Sequence, residues 1–275
     1  GDAFSEAFFF EEAANYYEQA IASGRSTASI KAIERLANFR IRLVIQEYDS
    51  NPKKNYKAAK KDIEKQINRL KRLKNAIGET SERLSIVGSG YKRLARISSG
   101  VSVKDCTLAL KEMENYYNQA WERKEDGHPV AYPLVNALST TIVQMLRAGV
   151  LDRNKLADIK KRIDEAEKLI RKEQMNSPDN FWSAIGVTDI KLLQHLYEYM
   201  KGKRKVFSET IHDELVKEYR TAWKQYGSAR ELNSIVEHYA FLAAVIAKPN
   251  EHETVCKVLK EISDSLKSTY EDEVD

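Results

Sequence analysis

Apolar residues recur at helical spacing along the whole chain. In residues 54–77, Tyr56, Ile63, Ile67, Leu70 and Ile77 lie three, four or seven positions apart, with lysines between them. This spacing places the apolar side chains on one face of an α-helix. Glycines and the few prolines separate such segments, as helix ends require. The pattern predicts eleven helices, over residues 2–23, 27–48, 54–77, 80–98, 102–124, 130–148, 152–176, 179–200, 206–226, 228–247 and 250–270.

Most of these segments are preceded by a residue whose short polar side chain can accept a hydrogen bond from the first helical turn. The predicted N-caps are Thr27, Thr80, Ser102, Asp152, Asp179, Ser208, Ser228 and Asn250. The connectors between segments are short, so consecutive helices are expected to run antiparallel.

Three segments share a signature. Residues 15–21 read Asn-Tyr-Tyr-Glu-Gln-Ala-Ile, and residues 115–121 read Asn-Tyr-Tyr-Asn-Gln-Ala-Trp, 100 positions later. Residues 219–223 are a weaker copy. An offset near 100 equals four helices of about 25 residues, so the repeating unit is a helix pair of about 50 residues. Such repetition predicts stacked repeats, in which each unit buries its apolar face against its neighbours.

Composition agrees with a soluble helical protein. Charged residues make up 31% of the chain and hydrophobic residues 42%, and no apolar run approaches the roughly 18 residues of a membrane-spanning helix. Cys106 and Cys256 lie far apart inside predicted helices, which disfavours a disulfide framework. A cytoplasmic location is expected.

Short motifs resemble tetratricopeptide repeats. Residues 87–91, Val-Gly-Ser-Gly-Tyr, match the Leu-Gly-x-x-Tyr core of that repeat's first helix, with valine in place of leucine. Tyr-x-x-Ala followed by a large apolar residue, at 17–21, 117–121 and 219–223, resembles its second helix. Residues 82–95 and 131–137 are similar to tetratricopeptide-like regions of bacterial multidomain proteins. A more distant resemblance is to the TRAF-binding regulatory region of the apoptosis signal-regulating kinases.

The resemblance implies an all-α, right-handed α-solenoid of antiparallel helix pairs that acts as a protein–protein interaction scaffold, often beside an effector domain. We expect one domain over residues 1–275, with a short acidic C-terminal tail. The helix pairs depart from the family pattern, because they are longer than the about 34 residues of an ordinary unit.

Under the phasing that the resemblance implies, the even-numbered helices line a concave groove. Candidate groove residues are those expected to point away from each apolar stripe, namely Asn38, Arg42, Lys92, Arg96, Asn136 and Thr140. The amide of Asn136 can hold a peptide backbone with both a donor and an acceptor. The alternative is that it bonds a neighbouring helix end.

Charge is distributed unevenly. Residues 53–96 contain fourteen Lys or Arg and four acids, a local balance of +10 in a chain of net charge +4. The candidate binding residues on the third helix are Lys57, Lys61, Lys65 and Arg69, and those on the fourth are Lys92, Arg93 and Arg96. This basic surface would attract an acidic protein partner or phosphate. The alternative is an ordinary solvated helix face.

Catalytic patterns are weak. The five histidines form no H-x-x-x-H pair, and Glu209-x-x-His212 has the spacing of a di-iron half-site without a second helix to complete it. Neither cysteine lies in a nucleophile motif. The sequence therefore predicts a scaffold that is not an enzyme and holds no cofactor or metal, as the regulatory or sensor part of a larger signalling or defence protein. The alternative function is a nucleic-acid-binding sensor that uses the basic surface of residues 53–96.

Overall fold

The computed structural model describes residues 9–23, 30–50, 55–123, 130–149, 152–202, 207–247 and 252–274. Within these ranges the protein is all-α and has eleven helices, as predicted. They are α1 Phe10–Ala22, α2 Ile30–Ser50, α3 Tyr56–Ile77, α4 Ser81–Ser98, α5 Val103–Glu122, α6 Ala131–Ala148, α7 Arg153–Asn176, α8 Phe181–Met200, α9 Glu209–Tyr226, α10 Ala229–Ile246 and α11 Glu253–Val274. Each of them is too short or too polar to span a lipid bilayer.

Local sequence sets the helix ends. Thr80, Ser102, Asp152 and Ser228 accept hydrogen bonds from the first turns of their helices, which confirms these predicted N-caps. In return, the backbone N–H of Ser228 donates to Oε2 of Glu231 at 2.9 Å, which completes a capping box.

Other cap predictions differ from the structure. Asn180 rather than Asp179 caps α8, and its Oδ1 accepts from the backbone N–H of Ser183 at 3.2 Å. Ser208 precedes α9 but makes no side-chain cap hydrogen bond. The predicted caps Thr27 and Asn250 lie outside the described residues.

The chain divides into two compact units, Gly1–Glu125 and Asp126–Asp275. In the first unit, α1 packs on α2, α2 on α3 and α4, and α4 also on α3 and α5. Gly88 allows the close approach of α4 and α5, because a Cβ atom there would lie 3.0 Å from the Tyr117 ring. At the other end of this core, the rings of Phe10 and Phe39 stack with centroids 5.8 Å apart.

In the second unit, α6 contacts α7, α8 and α10, and α11 contacts α9 and α10. Hydrogen bonds join the C-terminal end of α6 to residues near the end of α10 and the start of α11. A guanidinium nitrogen of Arg147 donates to the carbonyl of Val245, and Nε2 of His252 lies 3.2 Å from the carbonyl oxygen of Leu146.

Exposure alternates along the chain. Neither α8 nor α10 has an exposed residue, and in α4 only Glu82 is exposed. The odd-numbered helices α3, α5, α7 and α9 each present a wide polar face to solvent. The even-numbered helices therefore form the inner layer of each unit. The right-handed superhelix and the single domain over residues 1–275 stay predictions.

Candidate partner-binding surface

One face of α3 concentrates positive charge. Its residues, Lys57, Lys61, Lys65, Arg69 and Arg72, are called the α3 basic face below. The three lysines and Arg72 are exposed, and Arg69 is half-buried. Asn55 caps the helix through a hydrogen bond from the Lys57 backbone at 3.0 Å, and the opposite face carries the buried apolar residues Ala59, Ile63, Ile67 and Leu70.

The charges of this face are not neutralised within the described part of the chain. Lys57, Lys61, Lys65 and Arg69 have no carboxylate partner there. Arg72 donates from Nε to the backbone carbonyl of Asn68 at 3.4 Å, which leaves its charge uncompensated.

Two other lysines of α3, Lys60 and Lys71, pair with acids of α5. Nζ of Lys60 lies 2.8 Å from Oδ2 of Asp105, and Nζ of Lys71 lies 4.0 Å from Oε2 of Glu112. The hydrogen bond from Lys60 holds the pKa of the Asp105 carboxyl below its ordinary value. The hydrogen bond from Tyr56, which reaches Asp105 at 2.8 Å, lowers it further. These contacts join α3 to α5 across α4.

Two tyrosines of this region are also engaged. The rings of Tyr91 and Tyr116 stack with centroids 5.8 Å apart, and Nζ of Lys71 lies 5.1 Å from the Tyr91 centroid. Burial raises the pKa of Tyr91 to about 12. The hydroxyl of Tyr56 lies 2.9 Å from Oγ of Ser98 in addition to its bond with Asp105.

The predicted continuation of the basic surface onto α4 is wrong for Arg93. Only 6% of Arg93 is exposed, and its guanidinium donates to Oγ of Ser89 and, at 3.3 Å, to the Ser89 carbonyl. Arg96 donates to Oδ2 of Asp49 on α2 at 2.8 Å, and Lys92 is half-buried. Arg93 is therefore held against its own helix and Arg96 is paired with α2, so neither extends the basic face of α3.

The candidate groove residues of α2 are not free side chains in an open groove either. Arg42 is 6% exposed, and its Cζ lies 5.4 Å from the centroid of the Phe10 ring. Asn38 is half-buried.

On α6, the expectation that Asn136 and Thr140 point away from the apolar stripe into an open groove is wrong. Asn136 is 5% exposed and Thr140 is fully buried. Nδ2 of Asn136 donates to the carbonyl of Tyr132 at 3.0 Å, and Oγ1 of Thr140 donates to the carbonyl of Asn136 at 2.7 Å. The amide therefore bonds its own helix rather than a neighbouring helix end. Both positions are enclosed because α7, α8 and α10 surround α6.

His212, which has the spacing of a di-iron half-site with Glu209, has other partners. Nδ1 of His212 lies 2.9 Å from Oδ1 of Asp213, and Nε2 lies 3.0 Å from Oγ of Ser265. Among the described residues, no group of three His, Cys, Asp or Glu side chains could hold a metal ion. Both cysteines are free thiols, and burial raises the pKa of Cys256 to about 11.

With the geometry described, the comparisons with known proteins decide the family. The model of the family Tetratricopeptide Repeats-Sensor matches residues 9–146, just over half of the chain. The chain belongs to this family. Comparisons with curated proteins and with solved structures gave no match.

The Tetratricopeptide Repeats-Sensor match covers α1 to α5 and nearly all of α6. It confirms the tetratricopeptide-like interpretation of the sequence motifs, and it includes the whole α3 basic face. Repeat proteins of this kind are protein-interaction modules.

The sequence did not predict that lysines of α3 pair with acids of α5 inside the Tetratricopeptide Repeats-Sensor region. Asp105 and Glu112 lie seven residues apart on one face of α5, which is a signal for a matching basic face elsewhere. The sequence does not show that α3 supplies it, because that requires knowing that α3 and α5 both flank α4.

Proposed function

We propose that this chain is a non-catalytic binding module, the sensor or regulatory part of a larger signalling or defence protein. It binds an acidic protein partner through the α3 basic face. The observation that carries the proposal is the set of exposed, uncompensated charges on α3, inside the region that matches a sensor family. A cytoplasmic location is part of the proposal, since both cysteines are free thiols.

The structure separates two kinds of lysine on the same helix. Lys60 and Lys71 stabilise the helix packing through Asp105 and Glu112, whereas the α3 basic face points away from these acids. From Lys57 to Arg72 the face spans about 22 Å at 1.5 Å per residue. A row of like charges of that length accelerates association with an oppositely charged partner and contributes more to specificity than to affinity.

An acidic protein is favoured over a nucleic acid because of the tyrosines. Single-stranded nucleic acids are held by basic residues together with aromatic rings on which bases stack. Two aromatic residues are interleaved with the basic residues. Tyr56 contacts Ser98 of α4 and Asp105 of α5, and Tyr91 stacks on Tyr116 of α5. Neither is an open stacking platform.

The test is affinity purification of partners from the source cells, compared between variants by quantitative mass spectrometry. The charge-reversal variant is Lys57→Glu/Lys61→Glu/Arg69→Glu. The matched control is Lys155→Glu/Lys168→Glu/Lys172→Glu, which reverses three exposed charges of α7. We expect a partner that is retained by the wild type and the control, is lost from the α3 variant, and elutes at raised salt.

Each sample is also treated with nuclease. Recovery that survives nuclease supports an acidic protein partner. A partner that the α3 variant retains, or one that is recovered only without nuclease, would overturn the proposal, and the second result would favour the nucleic-acid sensor.

A further inference from the structure

A groove lies between α9 and α11 in the second unit, outside the region of the α3 basic face. It has a volume of about 280 Å³. Its lining residues are His212, Asp213, Val216, Lys217, Arg220, Thr221, Lys224 and Ser265. Three cationic side chains against one carboxylate give the lining a balance of +2. The volume is at the small end of ligand sites, which favours a compact ligand.

The charges of α9 are sorted between its two sides. Glu214 and Glu218 point toward α8, where Lys191 pairs with both and its Nζ lies 2.7 Å from Oε1 of Glu214. The hydrogen bond from Lys191 lowers the pKa of the Glu214 carboxyl. The cations Lys217 and Arg220 lie on the groove side. Glu214 and Glu218 are therefore neutralised at α8 and do not compensate the groove, whereas Asp213 of the same helix lines it.

Arg220 is held in a fixed orientation by α11. Its Nε donates to Oγ1 of Thr269 at 2.6 Å, and its Nη2 donates to the carbonyl of Ser265 at 2.9 Å. Two bonds to one helix fix the guanidinium plane, so little side-chain entropy remains to be lost on binding. Among the described residues, Nη1 of Arg220 and Nζ of Lys217 have no hydrogen-bond acceptor.

The groove also contains groups that donate or accept at its edge. Oγ of Ser265 and Nε2 of His212 form a hydrogen-bonded pair at 3.0 Å, and His212 in turn contacts Asp213. A fixed guanidinium with free N–H groups, an ammonium one turn away and a hydroxyl form the donor set that binds phosphate oxygens. Among the described residues that line the groove, Asp213 is the one with a carboxylate.

We infer that the groove between α9 and α11 binds the phosphate group of a small ligand, with Arg220 and Lys217 as the principal contacts. The groove lies in the second unit, whereas the α3 basic face lies in the first. The inference about phosphate can therefore be tested independently of the proposed partner binding.

The experiment is a titration of the full chain with inorganic phosphate, followed by ¹H–¹⁵N NMR, beside a titration with sodium chloride at equal ionic strength. We expect saturable shifts of the backbone amides of α9 and of residues 265–269 with phosphate but not with chloride. Shifts that never saturate, or that chloride reproduces, would overturn the inference.

Two variants test the contacts. Lys217→Gln removes an exposed cation whose side chain has no hydrogen-bond partner among the described residues, so this variant should fold as the wild type does. Arg220→Gln removes the guanidinium that α11 holds in place. Each should weaken phosphate binding by about tenfold, the order expected for loss of one charge-assisted hydrogen bond. The control is Lys257→Gln, since Lys257 lies on α11 outside the groove and pairs with Glu261 at 3.7 Å. It should bind as the wild type does. Unchanged phosphate affinity in both groove variants would contradict the assignment.

A second arm compares adenosine 5′-monophosphate with O-phosphoserine under the same conditions. Saturable binding of either supports a phosphate site, and the tighter of the two identifies the source of the phosphate as a nucleotide or a phosphorylated amino acid. No binding of either, together with none of phosphate, would overturn the inference.

Discussion

Glu34 and Arg83 form a buried ion pair between α2 and α4. Nε of Arg83 lies 2.6 Å from Oε1 of Glu34, and both residues are 6% exposed. The guanidinium also donates to the carbonyl of Gly78, at the end of α3. Its charge is thus satisfied by two different helices, and removal of the carboxylate would leave it buried without a counter-charge.

Glu34→Gln is expected to lower the free energy of unfolding by about 3 kcal/mol, the magnitude typical of breaking a buried pair on one side. Urea unfolding measures it. The control Glu18→Gln breaks the exposed Arg40–Glu18 pair of 2.8 Å and should cost less than about 1 kcal/mol. Equal losses of unfolding free energy in the two variants would show that burial does not determine how much an ion pair stabilises this protein.

Gly90 is a second position at which an added side chain should lower the stability of the fold. A Cβ atom there would lie 2.9 Å from Cγ1 of Ile67 and 3.3 Å from Cδ1 of Ile41. Gly90→Leu should destabilise the protein by about 2 kcal/mol or more, because the added side chain has no space among buried neighbours. Gly100→Leu is the matched control, since nothing lies within 4 Å of a Cβ at that position. Thermal unfolding of the two variants checks this, and a Gly90 variant as stable as the control would be the contrary result.

At the scale of helices, α3, α4 and α5 are joined by a polar network centred on Asp105. The carboxylate accepts from Lys60 and Tyr56, and Tyr56 also reaches Ser98 of α4. The pKa of Asp105 is lowered in the folded state, first by the hydrogen bond from Lys60. Folding therefore favours the ionised form. The stability that this provides is present above the unfolded pKa of about 3.9 and is lost as pH falls through the lower folded pKa.

Asp105→Asn should accordingly be less stable than the wild type near neutral pH. The difference should narrow below about pH 4, where the wild-type carboxyl takes up its proton. Urea unfolding at a series of pH values measures it. Asp158→Asn on the exposed face of α7 is the control and should follow the wild type throughout. A difference for Asp105→Asn that is constant with pH would show that the network is not electrostatic.

The elements themselves were predictable because each depends on neighbours in sequence. The stripe of Ile63, Ile67 and Leu70 fixes one face of α3, and the cap at Thr80 fixes the start of α4. The candidate site was only partly predictable. Helical spacing places Lys57 and Lys60 on the same helix but does not tell which faces α5 and which faces solvent. The burial of Thr140 on α6 was missed because the sequence does not show that α6 packs on α7, α8 and α10.

At the scale of the whole chain, each compact unit has its own core. The first unit, Gly1–Glu125, contains α1 to α5 and is of a size that buries about two thirds of its surface on folding. Residues 1–125 expressed alone should therefore be helical and unfold cooperatively, as measured by circular dichroism during heating.

The control for that fragment is residues 1–90, which lacks half of α4 and all of α5. It should not unfold cooperatively, because α2, α3 and α5 all pack on α4. If residues 1–125 behave like the control, the unit does not fold alone, and the expectation of one domain over residues 1–275 would gain support.

The alternation of inner and outer helices has a consequence for how this sequence can diverge. Every residue of α8 and α10 is at least partly covered, whereas their neighbours α7 and α9 carry broad solvated faces. Related sequences should therefore vary mainly in the odd-numbered helices and keep the volume and polarity of the even-numbered ones. New binding specificities would arise by substitution on the outer helices, without any change in the inner layer that holds the repeats together.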